Sequence, residues 1–163
     1  MSIGYCGMSS VGLDAKGRLS IPTKYREQLL ADCDGCLVLS LDRSPNLLMF
    51  PLPVWDVLQQ ELTSIGASDK AVRLRRLYLG SAEHVKMDSA GRVLVSPELR
   101  KRIGLETGSG AKKACVVGQG GKFEIWREDT WSEYLDAVMD DAKDLDLGSD
   151  DADAQIASRL TML

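Results

Sequence analysis

Val11-Gly-Leu-Asp14-Ala-Lys16-Gly17-Arg18-Leu-Ser-Ile21-Pro22-Thr-Lys24-Tyr-Arg26 and Val85-Lys-Met-Asp88-Ser-Ala90-Gly91-Arg92-Val-Leu-Val95-Ser-Pro97-Glu-Leu-Arg100 are two versions of one text. Asp14, Gly17, Arg18 and Arg26 return as Asp88, Gly91, Arg92 and Arg100, each 74 positions later, while Pro22 and Pro97 are one residue out of step. A unit this long is not a solenoid repeat, which would need several stacked copies. Two copies imply two half-sized domains in one chain. At about 50 residues each half would bury too little surface to stand alone, so the halves should share a core or interleave. Each copy offers one arginine from a turn, which makes the expected surface bivalent.

A second correspondence extends the repeat. Phe50-Pro-Leu-Pro-Val-Trp55 matches Trp126-Arg-Glu-Asp-Thr-Trp131 at a shift of 76. In both, an apolar strand ends at an aromatic residue and a helix begins near a tryptophan. The elements between follow from pattern and turn chemistry. Residues 8–13 read as a strand, Asp14–Gly17 as a turn with Gly17 free to take a positive φ, and Arg18–Ile21 as the returning strand. Pro22 ends that strand and starts a helix over Thr23–Ala31, with Tyr25, Leu29 and Leu30 inward. Leu37–Leu41 and Leu47–Phe50 are buried strands. Helices are expected over Val54–Ile65, with Trp55, Leu58, Leu62 and Ile65 on one stripe, and over Lys70–Leu79. The second half repeats the plan. Strands are expected at Glu83–Met87 and Arg92–Val95, a helix at Pro97–Ile103, and a hairpin of Ala114–Val117 and Lys122–Trp126 around Gly118–Gly121. A terminal helix over Thr130–Lys143 should turn Trp131, Leu135 and Val138 inward.

The composition is globular, with 44% hydrophobic and 27% charged residues in 163. No apolar run approaches the roughly 18 residues of a membrane span. The start, Met1-Ser-Ile-Gly-Tyr-Cys6, lacks the charged and apolar regions of a secretory signal, so a cytoplasmic location is expected. The net charge of −4 conceals an asymmetry. Residues 1–127 carry 18 basic against 13 acidic side chains, a net of +5, and residues 128–163 carry 2 against 11, a net of −9. Such a body suits an anionic partner, while the tail reads as a solvated segment.

Asp and Arg four apart across a glycine turn admit two readings. In one, the carboxylate accepts turn N–H groups and the arginine pairs with it, and the unit is purely structural. In the other, the aspartate sets the turn and the guanidinium projects, its planar donors matched to phosphate or to a guanine edge. Lys16 makes the first tip more basic than the second, where Ala90 stands. Lys24, Arg26 and Arg100 lie just beyond and strengthen the anion-binding reading. No catalytic constellation competes. His84 is the single histidine and has no nucleophile beside it in sequence, and no phosphate-binding glycine loop is present. Cys33-Asp-Gly-Cys36 has the spacing of a zinc knuckle or redox pair. It sits between a helix end and a strand, where Asp-Gly is turn chemistry, and neither a metal nor another cofactor is expected.

Taken together, Asp14-Ala-Lys-Gly-Arg18-Leu-Ser-Ile-Pro22-Thr-Lys-Tyr-Arg26, Leu52-Pro-Val-Trp55, Leu79-Gly80 and Asp88-Ser-Ala-Gly-Arg92 resemble the MraZ family of bacterial transcriptional regulators. The resemblance runs from residue 8 to about 135. It implies an α+β fold with a mainly-β core: two tandem SpoVT/AbrB-like halves forming a swapped-hairpin, double-split β-barrel with flanking helices. The halves would span 8–54 and 82–127, joined by helices over 55–81 and followed by a C-terminal helix and acidic tail over 128–163. It further implies a non-enzymatic, sequence-specific repressor of its own promoter at the head of a division and cell-wall gene cluster. Such a protein would bind short direct repeats in double-stranded DNA as a homo-oligomeric ring, octamer-like or larger, near the nucleoid and away from membranes. Arg18, Arg92 and Lys16 carry over as DNA contacts, with Asp14 and Asp88 as turn organisers. From their charge beside the turns Lys24, Arg26 and Arg100 are further candidate DNA contacts, and Gly17 and Gly91 complete the turn organisers. AbrB-like folds also serve as antitoxins that bind a toxin, and that is the alternative.

Overall fold

The computed structural model describes residues 4–107 and 112–141. The expected end of the terminal helix at Lys143 and the acidic tail lie outside the described residues. In chain order the elements are β1 (Tyr5–Gly12), β2 (Arg18–Ser20), α1 (Thr23–Cys33), β3 (Cys36–Leu41), β4 (Asn46–Pro51), α2 (Leu52–Ser64) and α3 (Asp69–Tyr78). After them come β5 (Glu83–Lys86), β6 (Arg92–Leu94), α4 (Pro97–Arg102), β7 (Lys113–Gly120), β8 (Phe123–Arg127) and α5 (Glu128–Asp141). The chain is thus α+β, with a mainly antiparallel β core and five helices among the described residues. None of those helices is long and apolar enough to cross a membrane.

Six strands form one antiparallel sheet in the order β1-β7-β8-β4-β3-β5, and β2 with β6 forms a separate two-stranded ribbon. Leu48 of β4 lies opposite Glu124 of β8, its own counterpart at the shift of 76. Leu19 of β2 lies opposite Val93 of β6, its counterpart at the shift of 74. Both pairings therefore straddle one pseudo-two-fold axis that relates the halves. The first strand of each half pairs away from home: β1 runs along β7, and β5 along β3. The expectation that residues 8–13 and 18–21 form a local hairpin is corrected here. Only a single bridge, Leu13 to Leu19, joins them, and β2 pairs across the axis instead. The reason is energetic. Three residues of returning strand gain little from a local ladder, whereas crossing buries Leu19 and Val93 completely against both halves. No closed barrel forms among the described residues, because β1 and β5 remain the two edges of an open sheet.

One core serves both repeats. Leu19, Ile21, Leu29, Leu37, Leu47 and Met49 of the first half pack with Val93, Val95, Leu99, Val116, Phe123 and Ile125 of the second. Each fully buried aliphatic or aromatic side chain stabilises the fold by about 1.5–3 kcal/mol. Neither repeat could bury this set alone. On the opposite face of the sheet, Val38, Leu48 and Phe50 meet Trp55, Leu58 and Leu62 of α2. Cys115, Val117 and Trp126 lie under Trp131 of α5.

Local chemistry explains the boundaries. The one-residue slip between the prolines is a difference in helix start. Pro22 occupies the N-cap of α1, whereas Ser96 caps α4, accepting from the Leu99 N–H at 3.3 Å, and Pro97 takes the first helical position. Ser68 caps α3 through the Ala71 N–H at 3.1 Å. Asp34 and Gly35 both adopt positive φ, which ends α1 two residues later than expected and turns the chain into β3. Several side chains differ from expectation. Leu30 is 53% exposed because it lies just off the buried stripe of α1, and Ile65 is 44% exposed because α2 ends at Ser64 and Ile65 is its C-cap. Trp131, Leu135 and Val138 are only half-buried, and α5 has no buried residue, since it lies mainly against β7 and β8 and touches β1 through Trp131 and Met8. β7 runs on to Gly120, so its turn to β8 is tighter than expected and closes with the Gln119 N–H on the Lys122 carbonyl.

Candidate nucleic-acid interface

The two Asp-x-x-x-Arg turns follow the same design atom by atom. Asp14 Oδ1 accepts the Lys16 and Arg18 N–H groups at 2.9 Å each. Asp88 Oδ1 accepts those of Ala90 and Arg92, also at 2.9 Å. The Gly17 N–H closes on the Asp14 carbonyl at 3.0 Å and the Gly91 N–H on Asp88 at 2.9 Å. Gly17 and Gly91 take φ of +84° and +74°, a region that L side chains avoid. The second carboxylate oxygen holds the arginine, Arg18 Nε at 2.7 Å in the first turn and Arg92 Nε at 3.2 Å in the second. The carboxyl of Asp14 is held below its ordinary range, chiefly by the Arg18 backbone N–H, and that of Asp88 by the Arg92 N–H. Both aspartates are therefore charged anchors at neutral pH.

The ribbon brings the turns together. Arg18 faces Leu94 across it, and Arg92 faces Ser20. Leu19 and Val93 point into the core, so alternation puts Arg18, Ser20, Arg92 and Leu94 on the outer face. Arg92 Nη1 also reaches Asp14 Oδ2 at 3.7 Å, which ties the second arginine to the first turn's carboxylate. Arg18, bound through Nε, keeps its Nη edge for another acceptor, and Arg92 keeps Nη2. Three paired residues give a ribbon about 10 Å long, within the roughly 12 Å width of a DNA major groove, which admits a two-stranded ribbon.

The other predicted residues fall in different places. Lys16 is exposed at the first tip. Lys24 is exposed on α1 with its ammonium against Gly7 of β1, 4.9 Å from the centre of the Tyr25 ring, so its contacts are with β1 and its neighbour. Arg100 is corrected from surface contact to interior. It is 7% exposed, donates from Nε to the Val95 carbonyl at 2.9 Å and from Nη1 to Thr107 Oγ1 at 2.8 Å. Arg26 is half-buried and donates from Nε to the Ile21 carbonyl at 2.8 Å. Sequence reading missed this inward role, although the constant spacing of Gly17 to Arg26 and Gly91 to Arg100 was its trace. It also missed Leu94, 56% exposed between the arginines.

Other candidate chemistry is dispersed. Arg75 donates to the Leu62 and Gly66 carbonyls, at 3.3 and 2.6 Å, and so tethers α3 to the end of α2. His84 is exposed on the edge strand β5. Cys33 and Cys36 are free thiols flanking the Asp34-Gly35 turn, and burial pushes the Cys33 thiol up. No group of three or more His, Cys, Asp and Glu is placed to hold a metal ion among the described residues.

A family model described as "MraZ protein, putative antitoxin-like" matches residues 5–76 and again 78–147, one match for each repeat. The "Transcriptional regulator MraZ" of Idiomarina loihiensis is 46% identical over 136 residues, covering 82% of this chain and 86% of the relative. That of Escherichia coli O127:H6 is 43% identical over the same span and coverage, as is that of Escherichia coli K12 strain DH10B. With both repeats matched and this identity sustained over most of each protein, the chain belongs to the MraZ family.

Proposed function

We propose that the protein is a DNA-binding transcriptional regulator that reads a major groove with the outer face of the β2–β6 ribbon. The observation that carries this reading is the meeting of two arginine turns, each set by a charged aspartate, on one face of a three-residue ribbon. The relatives bear the name of a transcriptional regulator, which supports the class. Arg18 and Arg92 donate to guanine edges or phosphates, Lys16 adds a phosphate contact at the first tip, and Lys24 adds a weaker one from its flank. Asp14, Gly17, Asp88 and Gly91 hold the geometry and touch no DNA. The protein acts without catalysis, in the cytoplasm at the nucleoid.

The finer reading is a repressor of its own promoter within a division and cell-wall gene cluster, bound to short direct repeats. One pair of arginines gives weak, salt-sensitive binding. A homo-oligomeric ring would make later contacts intramolecular and raise avidity without new chemistry. Titration of DNA from upstream of the gene, against a scrambled duplex and at two salt concentrations, tests this. Preference for the upstream DNA that persists at the higher salt supports it, and equal, salt-sensitive binding to both duplexes refutes it. The antitoxin-like description of the family model favours a second reading, a protein-binding module. Co-purification of a small basic partner, with no preference for upstream DNA, would select it.

A further inference from the structure

We infer that Arg26 and Arg100 are positioning residues that act across the halves: Arg100 braces the first turn and Arg26 braces the second. The inference rests on the DNA-binding reading for its consequence and on geometry alone for the brace. The guanidinium of Arg100 lies against the Cα of Gly17, and a Cβ built on Gly17 would stand 2.7 Å from its Cζ and Nε. The guanidinium of Arg26 lies under Gly91 in the same way. Each glycine thus meets two demands at once, a positive φ and a bare Cα for the opposite half's arginine.

The contacts close into loops. The Val95 N–H donates to the Gly17 carbonyl at 2.9 Å, and the Val95 carbonyl accepts from Arg100 Nε. Turn, ribbon end and brace of opposite halves are therefore linked through one residue. The mirror loop runs through Ile21, whose N–H donates to the Gly91 carbonyl at 2.8 Å and whose carbonyl accepts from Arg26 Nε. A planar guanidinium can lie against a glycine while donating sideways, and an ammonium cannot. Arg100 is the more deeply buried brace and is also fixed by Thr107. The first turn is accordingly the more rigidly held.

The test uses the full chain with Arg26→Lys and Arg100→Lys, which keep the charge and most of the volume. Arg100→Lys is expected to speed amide hydrogen exchange at Arg18 about tenfold, the scale of one charge-assisted hydrogen bond, and to leave Arg92 unchanged. Arg26→Lys should do the reverse. In DNA titrations Arg100→Lys should couple with Arg18→Ala, the double variant losing less than the product of the single losses, and be additive with Arg92→Ala. Arg26→Lys should couple with Arg92→Ala. Exchange that crosses halves as described, in a protein that binds no DNA, supports the brace and removes the DNA reading. Coupling or faster exchange within the same half overturns the brace. So does unchanged exchange at both turns in two well-folded variants.

Discussion

The first and second turns share a frame and differ at the tip. Both use an aspartate that accepts two backbone N–H groups, a glycine at positive φ and an arginine from the opposite half beneath it. At the tip, Lys16 stands against Ala90, and across the ribbon Arg18 meets Leu94 where Arg92 meets Ser20. Asp14 serves both arginines, at 2.7 and 3.7 Å, whereas Asp88 holds its own at 3.2 Å. The parts that set backbone geometry and the presented arginines are duplicated faithfully, and the positions around those arginines are not. That pattern is expected of two presenting arms on one scaffold, each tuned separately.

The largest effect should come from the shared frame. Gly17→Ala and Gly91→Ala each combine a left-handed backbone with overlap of a braced guanidinium. A loss of about 2–4 kcal/mol is expected for each, several degrees of Tm. Thermal melts should rank the two within about 1 kcal/mol of each other. A large loss at one turn and none at the other would break the equivalence of the frames.

Next come the arginines. Arg18→Ala should weaken DNA binding more than Arg92→Ala, each by on the order of tenfold or more for a bidentate pairing with a base. Lys16 works beside Arg18 and no cation stands at position 90. Equal losses, or a larger one at Arg92, would remove the claimed difference between the tips. A smaller effect isolates the tip itself. Lys16→Ala should lower the slope of log affinity against log salt by roughly one, and Ala90→Lys should raise it by a similar amount.

The smallest effect is the pH dependence. Asp14 and Asp88 have folded-state pKa values below their ordinary ones, so the unfolded chain takes up protons first as pH falls. Their contribution is complete above the unfolded carboxylate value of about 4 and is lost as pH drops through the folded values. Asp14→Asn should therefore be less stable than the parent at neutral pH, and the melts should converge below that range. A constant gap across pH would show that charge plays no part.

Much of this was legible in the sequence because its signals are local. Constant spacing revealed the repeat, and a glycine after Asp revealed the turns. Cys33-Asp-Gly-Cys36 behaves as the turn its residues suggest. The repeat implied interleaved halves, but which strands exchange was not legible, since turn residues say where a chain reverses and not which strand receives it. Arg26 and Arg100 were misplaced for a related reason. Basic residues beside a basic turn resemble surface charge, and only the opposite half supplies the carbonyl and the bare Cα that draw them inward. The helical spacing of Trp131, Leu135 and Val138 gave a face correctly and its burial incorrectly, because periodicity does not say how much sheet lies beneath.

The most direct test of the central claim is DNA binding by the parent and by the Arg18→Ala/Arg92→Ala double variant, on upstream and scrambled duplexes at matched salt. Tight binding of the parent to the upstream duplex alone is expected, reduced in the double variant to the level of the scrambled DNA, with the Tm of the protein nearly unchanged. Retention of the parent's preference by the double variant would contradict it and move DNA recognition away from the ribbon.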